Sequence, residues 1–152
     1  MSHEFVVQGI DHVELFVPDR YEAAKWYQQT LGLRIVPAFE EWASDRQGPL
    51  MISSGEGTTK LALFTGEPPG ARRNTIGFHR VAFRVSGSGF LIFLDRLALI
   101  PIFNESGRQL TANNIVDHDK AFSIYFCDPF GHRLEVTTYD YEHVAKRLAE
   151  IK

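Results

Sequence analysis

The feature that most constrains this chain is an order of elements that comes round twice. An alternating segment opens it, Ile10-Asp11-His12-Val13-Glu14-Leu15-Phe16-Val17. Side chains alternate along extended backbone, so Val13, Leu15 and Val17 share one face of a strand and His12, Glu14 and Phe16 the other. Pro18 and Asp19 stop the strand and lead into a helix. Its apolar face is Ala23, Ala24, Trp26, Tyr27 and Leu31, and Gly32 ends it. Strands are expected at Leu33–Phe39, Leu50–Ser53 and Lys60–Phe64, with the polar Glu40–Pro49 as a loop. The pattern then returns. Strand Phe78–Val85 opens with His79, Ser86-Gly87-Ser88 break it, and Phe90, Phe93, Leu94 and Leu97 form the next helical face. Short extended segments follow near Ile102–Asn104 and Gln109–Asn113. Phe122–Cys127 and Arg133–Tyr139 then pair as a hairpin around Asp128-Pro129-Phe130-Gly131. Tyr141–Ile151 closes the chain as an amphipathic helix with Val144, Leu148 and Ile151 on one side. The repeat rests on element order and on the placement of two histidines. The expected fold class is α+β, with the order βαβββ appearing twice. Module one spans about 6–66, module two about 76–140 and the C-terminal helix about 141–151, all in one domain.

The chain has 152 residues and a net charge of -3. That length buries a real core, and the charge gives no footing for nucleic acid, which needs basic patches. The apolar stretches Gly89–Leu94 and Leu97–Phe103 are too short to span a membrane. Met1–Phe5 has no basic segment followed by an apolar run, so no signal peptide is expected. Cys127 is the only cysteine, which excludes an internal disulfide and points to a reducing, cytoplasmic setting.

Three polar residues stand where strands should be apolar. His12 lies in the first strand of module one, His79 at what looks like the same place in module two, and Glu135 in the last strand. Leu134 and Val136 flank Glu135 and should face a helix, leaving Glu135 with Arg133 and Thr137 on the other side. Each residue alone reads as an ordinary strand residue. Together, two imidazoles and a carboxylate can occupy one face of an octahedral metal and leave positions open, as in non-haem iron(II) oxygenases. Zn(II) and Mn(II) use the same ligand types.

The stretches Ile10–Val17, Tyr27-Gln28-Gln29-Thr30-Leu31-Gly32-Leu33, Phe78-His79-Arg80-Val81-Ala82-Phe83 and Asp128-Pro129-Phe130-Gly131-His132-Arg133-Leu134-Glu135 carry a resemblance. Over nearly all its length the chain resembles a single-domain member of the vicinal oxygen chelate superfamily. That superfamily includes glyoxalase I, fosfomycin-resistance proteins, bleomycin-binding proteins and extradiol dioxygenases. The resemblance implies paired βαβββ modules forming a curled mixed sheet around a metal cup, commonly in a homodimer, with His12, His79 and Glu135 as metal ligands on the first, fifth and eighth strands. Glyoxalase I adds a glutamate on the fourth strand, and here Ala62 stands in that place. The run Val116-Asp117-His118 … Ile124-Tyr125 … Asp128-Pro129-Phe130-Gly131 … Glu135 resembles the long local motif of extradiol dioxygenases. It implies iron(II), dioxygen and a catecholic or related vicinal-oxygen small molecule, with His118 and Tyr125 as the catalytic acid-base and hydrogen-bonding residues. The active-site histidine that many extradiol enzymes carry upstream is missing from Phe64-Thr65-Gly66-Glu67-Pro68-Pro69. The alternatives are a glyoxalase- or fosfomycin-resistance-type metalloenzyme or a non-catalytic small-molecule binder.

Phe39, Trp42, Phe64 and Phe103 are candidates for an apolar wall, and Glu14 for the rim of the cup. His3, His132 and His143 are expected at the surface, Arg72-Arg73 in a linker joining the modules, and Cys127 buried in its strand.

Overall fold

The structure, a computed structural model, describes residues 10–55, 57–68 and 78–151. Residues Met1–Phe5, His3 and Arg72-Arg73 lie outside the described residues. The chain divides into two compact units, 1–68 and 69–152.

The first unit runs β1 (His12–Val17), α1 (Arg20–Leu31), β2 (Arg34–Ile35), β3 (Leu50–Ser53) and β4 (Lys60–Thr65). Its sheet has the order β1-β4-β3-β2, with β1 parallel to β4 and the other pairs antiparallel. The side chain of Asp19 accepts the N–H groups of Tyr21 and Glu22 and so starts α1; Gly32, at φ 72°, ends it in the left-handed region. Leu15 and Val17 are buried, while His12, Glu14 and Phe16 are exposed, as the alternation requires. The expected strand Leu33–Phe39 is cut to two residues. Pro37 has no N–H for a ladder, and its fixed φ suits the first turn of a helix, so a 3-10 helix over Pro37–Ser44 takes over part of the expected loop. The guanidinium of Arg20 ties this segment down by donating to the carbonyls of Ala43, Asp45 and Gly48. A Cβ on Gly48 would overlap the backbone oxygen of Trp42. Gly48→Ala is therefore expected to cost about 1–3 kcal/mol, seen as a lower urea midpoint with an unchanged m value.

The second unit runs β5 (Val81–Arg84), α2 (Gly87–Arg96), β6 (Val116–Asp117), β7 (Phe122–Cys127), β8 (Arg133–Thr138) and α3 (Tyr141–Glu150). Its sheet has the order β5-β8-β7-β6, with β5 parallel to β8. The same order of elements thus builds two mixed four-stranded sheets. Ile102–Asn104 and Gln109–Asn113 do not supply the strand expected of them. The side chain of Asn104 accepts the N–H groups of Ser106 and Arg108 and, with Gly107 at φ 78°, turns the chain back; only isolated bridges from Phe103 to Gln109 and Cys127 form. Val116–Asp117 fills the place instead. The core gathers Phe90, Phe93 and Leu94 of α2 against Phe122, Ile124, Phe126, Leu134 and Val136. Ring centroids stand 6.4 Å apart for Phe90–Phe122 and 5.4 Å for Phe93–Phe126. Of the three residues expected to pack α3, only Val144 is fully buried, and Ile151 is exposed. Among the described residues no helix is long and apolar enough to cross a membrane.

Asp140 precedes α3 and accepts the N–H of Gly87 at 2.6 Å, joining the starts of α2 and α3. A Cβ on Gly87 would stand 2.8 Å from the His143 ring and 2.9 Å from Cβ of Asp140. Asp140→Ala is expected to lower stability by about 1–2 kcal/mol, the cost of a lost charge-assisted bond to a helix's first turn. Thermal unfolding followed by circular dichroism checks this.

Candidate functional site

The turn after β7 sets the site of the second unit. Asp128 is buried, and its carboxylate accepts the N–H groups of Phe130 (2.9 Å) and His132 (2.8 Å). Nδ1 of His132 also lies 2.6 Å from Asp128 Oδ2. His132 is therefore not the surface residue expected from the sequence: its side chain is 11% exposed and its ring is held by Asp128. With the turn locked, β7 and β8 pair so that Glu135 stands opposite Tyr125, and Glu135 pairs with Ala82 on β5. Leu134 and Val136 are buried and Glu135 is half-buried, so the expected division of faces holds along β8.

His118 and Tyr125 are brought together. His118 is exposed just after β6, where its backbone N–H donates to Ala121, and its Nε2 lies 2.8 Å from the Tyr125 hydroxyl. The guanidinium of Arg80 lies over the Tyr125 ring, 4.5 Å from its centroid, and Arg80 Nε is buried with no hydrogen-bond partner. A cavity of about 380 Å³ opens here, lined by Arg80, Asn114, Tyr125, Cys127 and Arg133 among others. Arg133 is held by Glu105 at 2.8 Å and by Nδ1 of His79 at 3.4 Å. Cys127 is half-buried at the cavity wall rather than buried, and burial pushes its thiol up, away from the thiolate a nucleophile requires.

The first unit has its own cavity of about 240 Å³, lined by His12, Glu14, Phe39, Trp42, Ala62 and Phe64 among others. Phe39 and Trp42 stack at 4.6 Å. The expected aromatic wall thus forms from three of its four members; Phe103 belongs to the other unit. Ala62 sits in β4 opposite Glu14, so the fourth strand offers no carboxylate. Nδ1 of His12 lies 2.7 Å from Asp11 and Nε2 lies 3.3 Å from Glu14. The bond to Asp11 raises the His12 pKa, and the bonds to His12 and Lys60 lower that of Asp11. The sign follows directly. A histidine raised by a partner adds stability fully below its unfolded pKa and loses it as pH rises through the folded one. His12 is solvent-facing, so the stability effect is small. Asp11→Asn is expected to lower the His12 titration midpoint, read by NMR of its ring protons.

The internal register of each unit identifies matching positions. The centres of β4 and β8, Leu61-Ala62-Leu63 and Leu134-Glu135-Val136, are each a central residue flanked by buried apolar ones. Matching them sets Ala62 with Glu135 and hence Glu14 with Ala82, their parallel partners. Two residues back along β1 and β5, His12 matches Arg80. His79 falls one residue earlier and is exposed; both residues lie just before β5. A guanidinium has no lone pair for a metal, and its charge opposes a divalent cation beside it. Among the described residues, no group of three or more His, Cys, Asp or Glu side chains could hold a metal ion. Within the second unit, this face therefore brings Glu135 together with Arg80, and no histidine takes the position that matches His12. The sequence did carry a signal for Arg80: it is out of phase with the inward-facing Val81 and Phe83, as His12 is with Val13 and Leu15.

A model of the Glyoxalase/Bleomycin resistance protein/Dioxygenase superfamily matches residues 9–136. Among solved structures, Oxidase ChaP-H2 is similar at 23% identity and TM-score 0.62, covering 90% of this chain and 97% of its own. A glyoxalase/dioxygenase from Nostoc punctiforme is similar at 18% identity and TM-score 0.62, covering 91% and 99%. The fosfomycin resistance protein FosX from Listeria monocytogenes, complexed with Mn(II) and sulfate, is similar at 16% identity and TM-score 0.61, covering 94% and 99%. At such identities these likenesses show the fold alone. No curated protein sequence matches the chain.

Proposed function

Given that the chain belongs to the Glyoxalase/Bleomycin resistance protein/Dioxygenase superfamily, we propose that it acts on a catecholic or related vicinal-oxygen small molecule in the manner of the extradiol dioxygenases. The observation that carries this reading is the His118–Tyr125 bond of 2.8 Å beside a cavity on the face of Glu135. Within the motif Val116–Glu135, the two residues that set the extradiol pattern apart are in contact. The oxidase name of one structural neighbour agrees with it.

The chemistry proposed for these residues is proton handling. A vicinal diol binds best to such a face as its anion. His118 takes the hydroxyl proton, directly or through the Tyr125 hydroxyl, and the Tyr125 O–H then donates to the oxygen left behind. The aromatic ring of Tyr125 and the apolar Val116 along the cavity suit a flat ring. Ring opening by dioxygen uses Fe(II) in the extradiol type, and Mn(II) and Zn(II) take the same ligand types. Glu135 is the donor this face would offer to such an ion.

The test is a panel of catechols titrated into the protein by calorimetry, followed by oxygen uptake with added Fe(II). Binding of a catechol with uptake that depends on His118 supports the reading. Binding without uptake under any metal removes the dioxygenase reaction and leaves the substrate class. No binding of any vicinal diol sinks the proposal.

A further inference from the structure

We infer that Arg80 is an oxyanion anchor, and that the module-two cavity takes a small aromatic molecule through an anionic oxygen pair held by its guanidinium. The inference deepens the proposed function and rests on it for the vicinal-oxygen substrate.

Four observations converge. Arg80 stands at the register position that matches His12, on the face of the sheet that carries Glu135 and Tyr125. Its Nε is buried and has no hydrogen-bond partner among the described residues, so no acceptor there fixes that edge of the guanidinium. Its charge is also uncommitted. Among the described residues no carboxylate forms an ion pair with Arg80, whereas the neighbouring Arg133 is held by Glu105 at 2.8 Å. Finally, the Tyr125 ring beneath the guanidinium orients it, so its donors meet a ligand pre-aligned.

The shape of the donor group selects the ligand. A guanidinium presents parallel N–H bonds that match two oxygens side by side. The two oxygens of a catecholate and the two of a carboxylate both have that form. The cavity, about 380 Å³, falls in the range of roughly 300–1,000 Å³ usual for small-molecule sites. Its wall combines apolar Val116 and the Tyr125 ring with polar Asn114 and the Glu105–Arg133 ion pair, so one ring with one anionic edge meets Arg80 as the cation that no described carboxylate pairs. Arg80 in this role is a binding residue, and the binding it provides does not depend on a divalent metal.

The experiment uses the full chain after treatment with a chelator. Catechol, benzoate and 3,4-dihydroxybenzoate are titrated by calorimetry into wild type, Arg80→Gln, Arg80→Lys and Arg84→Gln. Arg84 carries the same charge further along β5 but stacks on Tyr139, 5.2 Å from its ring. The expected result is binding by the chelated wild type, weakened about 10- to 100-fold in Arg80→Gln, less so in Arg80→Lys, and unchanged in Arg84→Gln. Thermal melts confirm that each variant is folded; if Arg80→Gln is not, the several-fold loss expected of Arg80→Lys decides. Equal losses in the Arg80 and Arg84 variants would overturn the anchor, as would binding that chelation abolishes. Catechol bound equally by wild type and Arg80→Gln would remove the anchor and leave the proposed function standing. Benzoate bound through Arg80 with catechol rejected would keep the anchor and remove the vicinal-oxygen substrate. Binding of none of the three would remove both.

Discussion

Replacing His118 by Ala is expected to lower turnover of a catecholic substrate by about 10²- to 10⁴-fold, the usual contribution of a positioned acid-base group. His118 is exposed, and among the described residues its ring hydrogen-bonds only to the Tyr125 hydroxyl, so the fold has little to lose with it. Its backbone N–H bond to Ala121 survives the substitution. The loss should therefore fall on kcat with a melting temperature close to that of wild type. Tyr125→Phe keeps the ring under the Arg80 guanidinium and removes only the hydroxyl. It is expected to cost less than His118→Ala and to add little to it in the double variant, because the two side chains act as one unit. Steady-state kinetics on the three variants reads this directly. Independent, multiplicative losses would mean that the 2.8 Å bond has no part in the chemistry.

Replacing Asp128 by Ala is expected to lower stability by about 3–5 kcal/mol, the scale for removing one partner from a buried charged network. Its carboxylate is buried and accepts two backbone N–H groups, and it also pairs with the His132 ring at 2.6 Å. Removing it strands these donors inside the turn that sets the pairing of β7 with β8. Urea unfolding gives the loss. Asp128→Asn keeps an acceptor but not the charge, and should fall between the two. The variant should also bind the proposed substrates poorly, because Tyr125 and Glu135 depend on that register to share a face. Full stability in Asp128→Ala would show that the turn holds without its carboxylate.

The sequence made much of this legible, because alternation and turn chemistry are local. The phase of Val13, Leu15 and Val17 against His12 and Glu14 gave the two faces of β1, and Gly32 gave the end of α1. Glu135 between Leu134 and Val136 was assigned its face the same way. The pair His118 and Tyr125 stands in the motif by spacing, and the pairing of β6 with β7 brings the two side chains together. What failed was whatever depended on competition between local signals. Leu33–Phe39 read as one strand, but Pro37 favours a helical turn more strongly than apolar neighbours favour a ladder. Ile102–Asn104 had strand composition, but the Asn104 side chain and Gly107 fold it into a turn. The sequence sets His79 at the place of His12, whereas the register within each unit matches His12 with Arg80, which shares the parity of Ala82. In extended structure a one-residue error reverses the face.

The measurement that tests the account most directly is the metal content of protein purified without oxygen, compared between wild type and His79→Ala. Arg80 takes the position that matches His12, and His79, one residue earlier, lies against Arg133. The expectation is therefore the same metal content in both proteins. Near one equivalent of metal in wild type that is lost in His79→Ala would contradict it, and would restore His79 as a ligand beside His12 and Glu135.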